Sequence, residues 1–203
     1  MTILLFIAIA VLGLASYGVG IWQMVKGRYF PNTFSRVIWV LLAINSFAGV
    51  VLSNGSKSSI LLGAVLLLGN IAMCVASFWR GTKDMGRLEY FSLFLLLVSA
   101  LIWIFFHAPL INLSISLFAH FVGGLPIYKK IWLDPKSESV GFWSLFFFAS
   151  LLSVFVSSFD SWKAIILPMY FTIFDGSMSL LTLRKKSFSG VDKGLSLVKS
   201  KVV

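Results

Sequence analysis

Apolar residues gather into seven long runs, at roughly 3–22, 37–53, 60–79, 90–106, 110–128, 142–157 and 164–183, and none of these runs contains a Lys or an Arg. Each approaches the about 20 residues that a helix rising 1.5 Å per residue needs to cross roughly 30 Å of hydrocarbon. The breaks carry Pro31, Pro109, Pro135 and most of the charges, and several are so short that neighbouring helices must run antiparallel. The pattern predicts an all-α membrane protein with seven transmembrane helices and no additional soluble domain.

Composition agrees: 59% of the 203 residues are hydrophobic and 12% charged, whereas soluble domains carry roughly 25% charged residues. The net charge of +10 would suggest nucleic acid in a soluble chain, so its placement decides its meaning. With the N-terminus outside, one side of the membrane receives Lys26, Arg28, Arg36, Arg80, Lys83, Arg87, Lys129, Lys130, Lys136 and the tail from Arg184 to Lys201. Of the 17 basic residues only Lys57 and Lys163 fall on the other side. Short-loop Lys and Arg set orientation, so the expectation is a multi-pass protein of the cell inner (plasma) membrane with its C-terminus in the cytoplasm. The basic excess is then topological rather than a nucleic-acid footprint. The tail, 185–203, is either solvated or laid on anionic membrane lipid.

The first run lacks a preceding Lys or Arg and is read as a retained helix rather than a secretion signal. Trp22, Trp79, Trp143 and Trp162 lie near run ends, where indoles anchor at the headgroup level. Asn54-Gly55-Ser56 is a formal glycosylation sequon set against the membrane, read as accidental. The runs Phe105-Phe106 and Phe146-Phe147-Phe148 read as lipid-facing bulk. A single cysteine, Cys74, excludes an internal disulfide and any CxxC motif, and His107 and His120 are the only histidines. No metal and no cofactor are expected.

The chain repeats itself. An offset of 104 places Gly20 on Gly124, Pro31 on Pro135, Ser35 on Ser139, Trp39 on Trp143 and Ser46 on Ser150 without a gap. The stretches are YGVGIWQMVKGRYFPNTFSRVIW and FVGGLPIYKKIWLDPKSESVGFW. The same offset lays helices 1–3 on helices 5–7 and leaves helix 4 over. One intervening helix gives both halves the same orientation, a parallel repeat about an axis along the membrane normal. The expected units are 1–80, a first three-helix bundle; 88–107, a linker helix; 109–184, a second three-helix bundle; and 185–203, the basic tail.

The second stretch, with Pro126 late in a helix, basic residues next and then Lys136-Ser137-Glu138-Ser139, resembles the PQ-loop motif of the SWEET sugar transporters and their relatives. Position 127 is Ile where the motif's name has Gln, and the first repeat has Trp22-Gln23 in place of Pro-Gln. The resemblance covers the chain in topology and about forty residues of two loops in motif detail, and it is strongest to bacterial seven-span members. It implies a SWEET-like fold of two parallel three-helix bundles joined by a linker helix. Nicotinamide riboside transporters share that plan, so sugar is not implied as the cargo.

An intramembrane charge costs about 2.5–3.5 kcal/mol on insertion scales and is a functional candidate by default. Asp175, in the seventh run, is the one such residue, and an offset of 105 pairs it with Asn70 of the third. In SWEET-type transporters a pair of Asn on the third and seventh helices binds substrate, a role the resemblance carries to Asn70. Asp175 departs from that pattern, which admits a cationic substrate or protons as coupling partner. The plainer alternative is a structural hydrogen bond that joins the two halves. His120 aligns with Ser16 and reads equally as a cavity group or a packing histidine. Asn45 is a weaker cavity candidate, and Asn112 lies near a helix start. Gly20 and Gly124, with Pro31, Pro126 and Pro135, read as close-packing or hinge positions.

Two functional classes follow. The first is a transporter of a small polar solute, whether sugar, nucleoside, vitamin or amino-acid-like, working by alternating access. The second is a non-transporting PQ-loop receptor or membrane assembly factor. An enzyme is not expected, since the chain has no HExxH, no paired acids within a run and no Cys/His constellation. Association into a homo-oligomer is compatible with either class.

Overall fold

The computed structural model describes residues 2–83, 86–157 and 163–184. The described residues form seven α-helices: α1 Thr2–Val25, α2 Thr33–Leu52, α3 Lys57–Arg80, α4 Arg87–Phe106, α5 Pro109–Leu133, α6 Val140–Ser157 and α7 Ile166–Leu183. All seven are long and apolar enough to cross a bilayer, and among the described residues the only β pairing is a single Asn32–Thr82 bridge. The chain is an all-α membrane protein. The basic tail 185–203 and Trp162 lie outside the described residues.

Helix starts follow local chemistry. Asn32 accepts from the Ser35 N–H at 3.0 Å ahead of α2, and Ser56 from the Ser59 N–H at 3.1 Å ahead of α3. Ser139 accepts from the Phe142 N–H at 3.1 Å ahead of α6. Each satisfies a donor that the first turn leaves unpaired. His107 closes α4 in the left-handed region at φ 48°, and Pro109 opens α5 at a position where its missing N–H costs nothing.

Several helix bounds differ from the apolar runs by a few residues, two of them at C-terminal ends. α1 continues past residue 22 to Val25, and α5 runs through Pro126 to Leu133, so Pro126 lies inside the helix rather than at its end. Its ring leaves the Val122 carbonyl without the usual donor, and Gly123 and Gly124 before it remove side-chain bulk. Pro31 sits in the connection before α2, its carbonyl accepting from the Thr82 N–H at 2.9 Å. Pro135 begins a short 3-10 turn, Pro135–Ser137.

In the packing, α3 lies between α1 and α2, and α7 between α6 and α5. α1 packs along α6 and α2 along α5, while α4 lies on α5 and touches α2. Exchanging each helix with the one four places later turns the α1–α6 contact into the α5–α2 contact, as the repeat requires. The α1–α6 contact is as broad as α6–α7, so packing runs continuously from one repeat into the other.

The core is aromatic at its centre. Trp143 and Phe146 are 1% and 2% exposed, which corrects their reading as an interfacial anchor and lipid-facing bulk. Trp22, Trp79, Phe105, Phe106 and Phe148 are more than half exposed, as an outer apolar belt demands. Phe146 is drawn inward because its ring meets Tyr17 of α1 edge-on at 5.5 Å, a contact worth about 0.5–1.5 kcal/mol beyond area burial.

Candidate functional site

Asn70 and Asp175 lie at the middles of α3 and α7, both buried, and line one small cavity of about 10 Å³. That is room for about one water molecule. The Asn70 amide donates to the Tyr17 hydroxyl at 3.0 Å and to the Leu66 carbonyl at 2.9 Å. Its own oxygen, Oδ1, has no protein partner, and neither has Asp175 Oδ2. Two buried acceptors without donors are a costly arrangement in an apolar interior.

The walls repeat the sequence symmetry. Trp39 and Trp143, related by the 104 offset, both line this cavity, as do Leu66 and Phe171, related by 105 like Asn70 and Asp175. His120 completes the wall: its Nδ1 lies 2.9 Å from the Tyr170 hydroxyl, and its ring stacks on Trp39 with centroids 4.6 Å apart. Three expected site residues, Asn70, Asp175 and His120, therefore converge.

Two others lie elsewhere. Ser16 donates to the Phe142 carbonyl at 2.6 Å and ties α1 to α6. Asn45 joins a separate buried cluster between α2, α4 and α5, bonded to Ser99 at 2.7 Å, Ser116 at 2.9 Å and Asn112 at 3.0 Å. A buried amide with three partners is a helix-to-helix fastener, so neither residue faces the central cavity. Gly124 is a close-packing position, since a Cβ there would come within 2.6 Å of the Phe174 ring; at Gly20 it would come within 2.9 Å of the Met73 side chain.

A second, larger cavity of about 240 Å³ opens at the end of the molecule that carries the α1–α2 and α5–α6 loops. Trp39 belongs to both cavities, so its indole forms the partition. Arg36, read from the sequence only as loop charge, is 2% exposed on the first turns of α2 and lines this vestibule. It donates through Nη2 to the Tyr29 hydroxyl and lies 4.8 Å from the Trp39 ring centre, a cation–π contact. Burial pushes the Tyr29 hydroxyl up from its ordinary value, with the Arg36 charge opposing.

Two carboxylates share the vestibule. Glu138 takes Lys130 Nζ at 2.9 Å, the one ion pair among the described residues. Burial holds its carboxyl above the usual range, with Lys130 pulling the other way. Glu89 accepts from the Ser35 hydroxyl at 3.1 Å and the Gly86 N–H at 3.2 Å.

At the opposite end a cluster of hydroxyls joins α6 to the start of α3. Ser157 at the end of α6 lies 2.7 Å from Ser56, 2.7 Å from Ser58 and 3.1 Å from Ser59, and Ser59 also donates to the Ala164 carbonyl. The vestibule thus reaches as far as Trp39, a small polar cavity lies behind it, and hydroxyl contacts join α6 to the start of α3 at the opposite end. Among the described residues no group of His, Cys, Asp and Glu is placed to hold a metal ion. Compared with known proteins, the chain matches no family model, no curated protein and no solved structure.

Proposed function

We propose that this protein is a membrane transporter of a small polar solute, related to the PQ-loop and SWEET-like carriers, and that it works by alternating access. One observation carries the reading: matching positions of two repeats, Asn70 and Asp175, bring unpartnered oxygens to one buried cavity at mid-helix. Buried polar atoms of this kind, on helices facing a bundle interior, mark solute and ion pathways. In this reading the cavity closed by Trp39 is the occluded centre, and the vestibule is its access from the cytoplasmic side. The N-terminus faces outward, and Asp175 carries a proton or meets a cationic group of the cargo.

The test is uptake into proteoliposomes of labelled sugars, nucleosides and amino acids, with and without a pH gradient, comparing wild type with Asp175→Asn. Gradient-dependent accumulation lost in the variant is the expected result. Absence of uptake for every solute class, with protein shown to be folded, removes the transport reading. A second reading, a receptor that binds without transport, is favoured by the vestibule, a cavity of about 240 Å³ at the loop end of the molecule. Saturable binding in the absence of any flux would select it.

A further inference from the structure

Arg36 presents a charge that no carboxylate contacts directly. Its Nη1 has no acceptor, its Nη2 reaches only the neutral Tyr29 hydroxyl, and the residue is 2% exposed. The Trp39 indole nitrogen, buried beside it, also lacks an acceptor. The carboxylates that share the vestibule are engaged elsewhere, Glu138 with Lys130 and Glu89 with Ser35 and Gly86. A buried cation that no carboxylate contacts is unfavourable; Glu138 acts on Arg36 only at a distance, and the guanidinium borders a cavity of about 240 Å³.

Gly123, which lines the same cavity, lets the Trp39 indole lie close against α5. A Cβ at this position would come within 3.2 Å of the Trp39 indole nitrogen and 3.0 Å of the Ser92 hydroxyl. Two buried, unpartnered donors of different kinds, one charged and planar, therefore belong to residues that line one cavity together with Gly123.

We propose that the vestibule is an oxyanion-binding site, in which the carboxylate or phosphate group of a small solute seats against Arg36 Nη1 and Trp39 Nε1. A planar guanidinium favours two-point contact with such groups. Glu89 lines the same cavity with only neutral donors, so a solute bearing an amine beside its oxyanion finds a partner for each charge. The site lies across the Trp39 partition from Asn70 and Asp175 and is read by equilibrium binding. Its failure is therefore distinguishable from a failure of transport.

The experiment follows the indole resonance of Trp39, assigned with Trp39→Phe, in the ¹⁵N-labelled protein in phosphatidylcholine nanodiscs. Sodium acetate, sodium phosphate and glycine are titrated against sodium chloride of equal ionic strength. A saturable shift with acetate or phosphate is expected, at least tenfold weaker in Arg36→Gln. Gly123→Ala, which keeps the charge and sets a methyl against the indole nitrogen, should weaken it as well and serves if Arg36→Gln does not fold. Tighter binding of glycine than acetate assigns the Glu89 side of the site. No saturable shift beyond chloride, or equal shifts in wild type and both variants, overturns the proposal. So does a shift produced by phosphatidylglycerol in the nanodisc and by none of the free anions, which assigns the donors to lipid.

Discussion

Trp39 lies against His120 with ring centroids 4.6 Å apart and 32° between their planes, and this pair stands between the open vestibule and the closed centre. His120 is held in turn by Tyr170 at 2.9 Å and by the edges of Phe171 and Phe174. The partition is therefore a packed aromatic wall whose one face touches Arg36.

Removing that wall should expose the centre. On a Cys74→Ala background, a cysteine placed by Asn70→Cys should react slowly with a membrane-impermeant thiol reagent. Adding Trp39→Ala should raise the rate at least tenfold, while Trp39→Phe, which keeps a ring in place, should leave it near the starting value. Equal rates in all three would mean that Trp39 does not separate the two cavities.

Asp175 should be expendable for folding. Its Oδ2 has no partner in the protein, and a carboxylate at the middle of a spanning helix costs about 2.5–3.5 kcal/mol on insertion scales. Asp175→Asn should melt at or above the wild-type temperature while uptake falls tenfold or more. A marked loss of thermal stability would instead assign Asp175 a structural role.

Two glycines make a matched comparison. A Cβ at Gly69 would overlap the Tyr17 ring at 2.0–2.3 Å, whereas one at Gly18 meets nothing within 4 Å. Gly69→Ala must displace the ring whose hydroxyl takes the Asn70 amide, at a cost of about 1–3 kcal/mol. Gly18→Ala should gain roughly 0.5–1 kcal/mol from helix propensity. Thermal or denaturant unfolding in one detergent compares the two, and a stable Gly69→Ala protein would contradict the packing described.

Glu138 makes stability depend on pH. Burial raises its carboxyl in the folded protein above the value of the unfolded chain, so the folded state binds the proton more tightly. The resulting stabilisation is fully present below the unfolded value, about 4.3, and is lost as pH rises through the raised folded value. Melting temperature should therefore climb as pH falls through that window, and Glu138→Gln should flatten the slope. A slope unchanged in the variant would place the titration elsewhere.

The helices were legible because hydrophobic runs interrupted by charge have one physical explanation. The convergence of Asn70 and Asp175 was legible because the repeat aligned them. The same alignment paired Trp39 with Trp143, and that signal could have identified both as cavity walls, but nearness to a run end suggested anchoring for Trp143 instead. Arg36 was missed for a related reason. Its run was read from residue 37, one position after it, so a buried cation looked like loop charge. Ser16 and Asn45 show the reverse limit: polarity inside a span marks burial without saying whether the partner is a cavity or another helix, and both found helices.

Ser157 and its three serine neighbours join helices at one end through groups that carry no formal charge. Parting them separates no ions, and every hydroxyl released can re-pair with solvent at nearly equal enthalpy. Contacts of this composition are cheap to hydrate, so on the transport reading water is what would replace them.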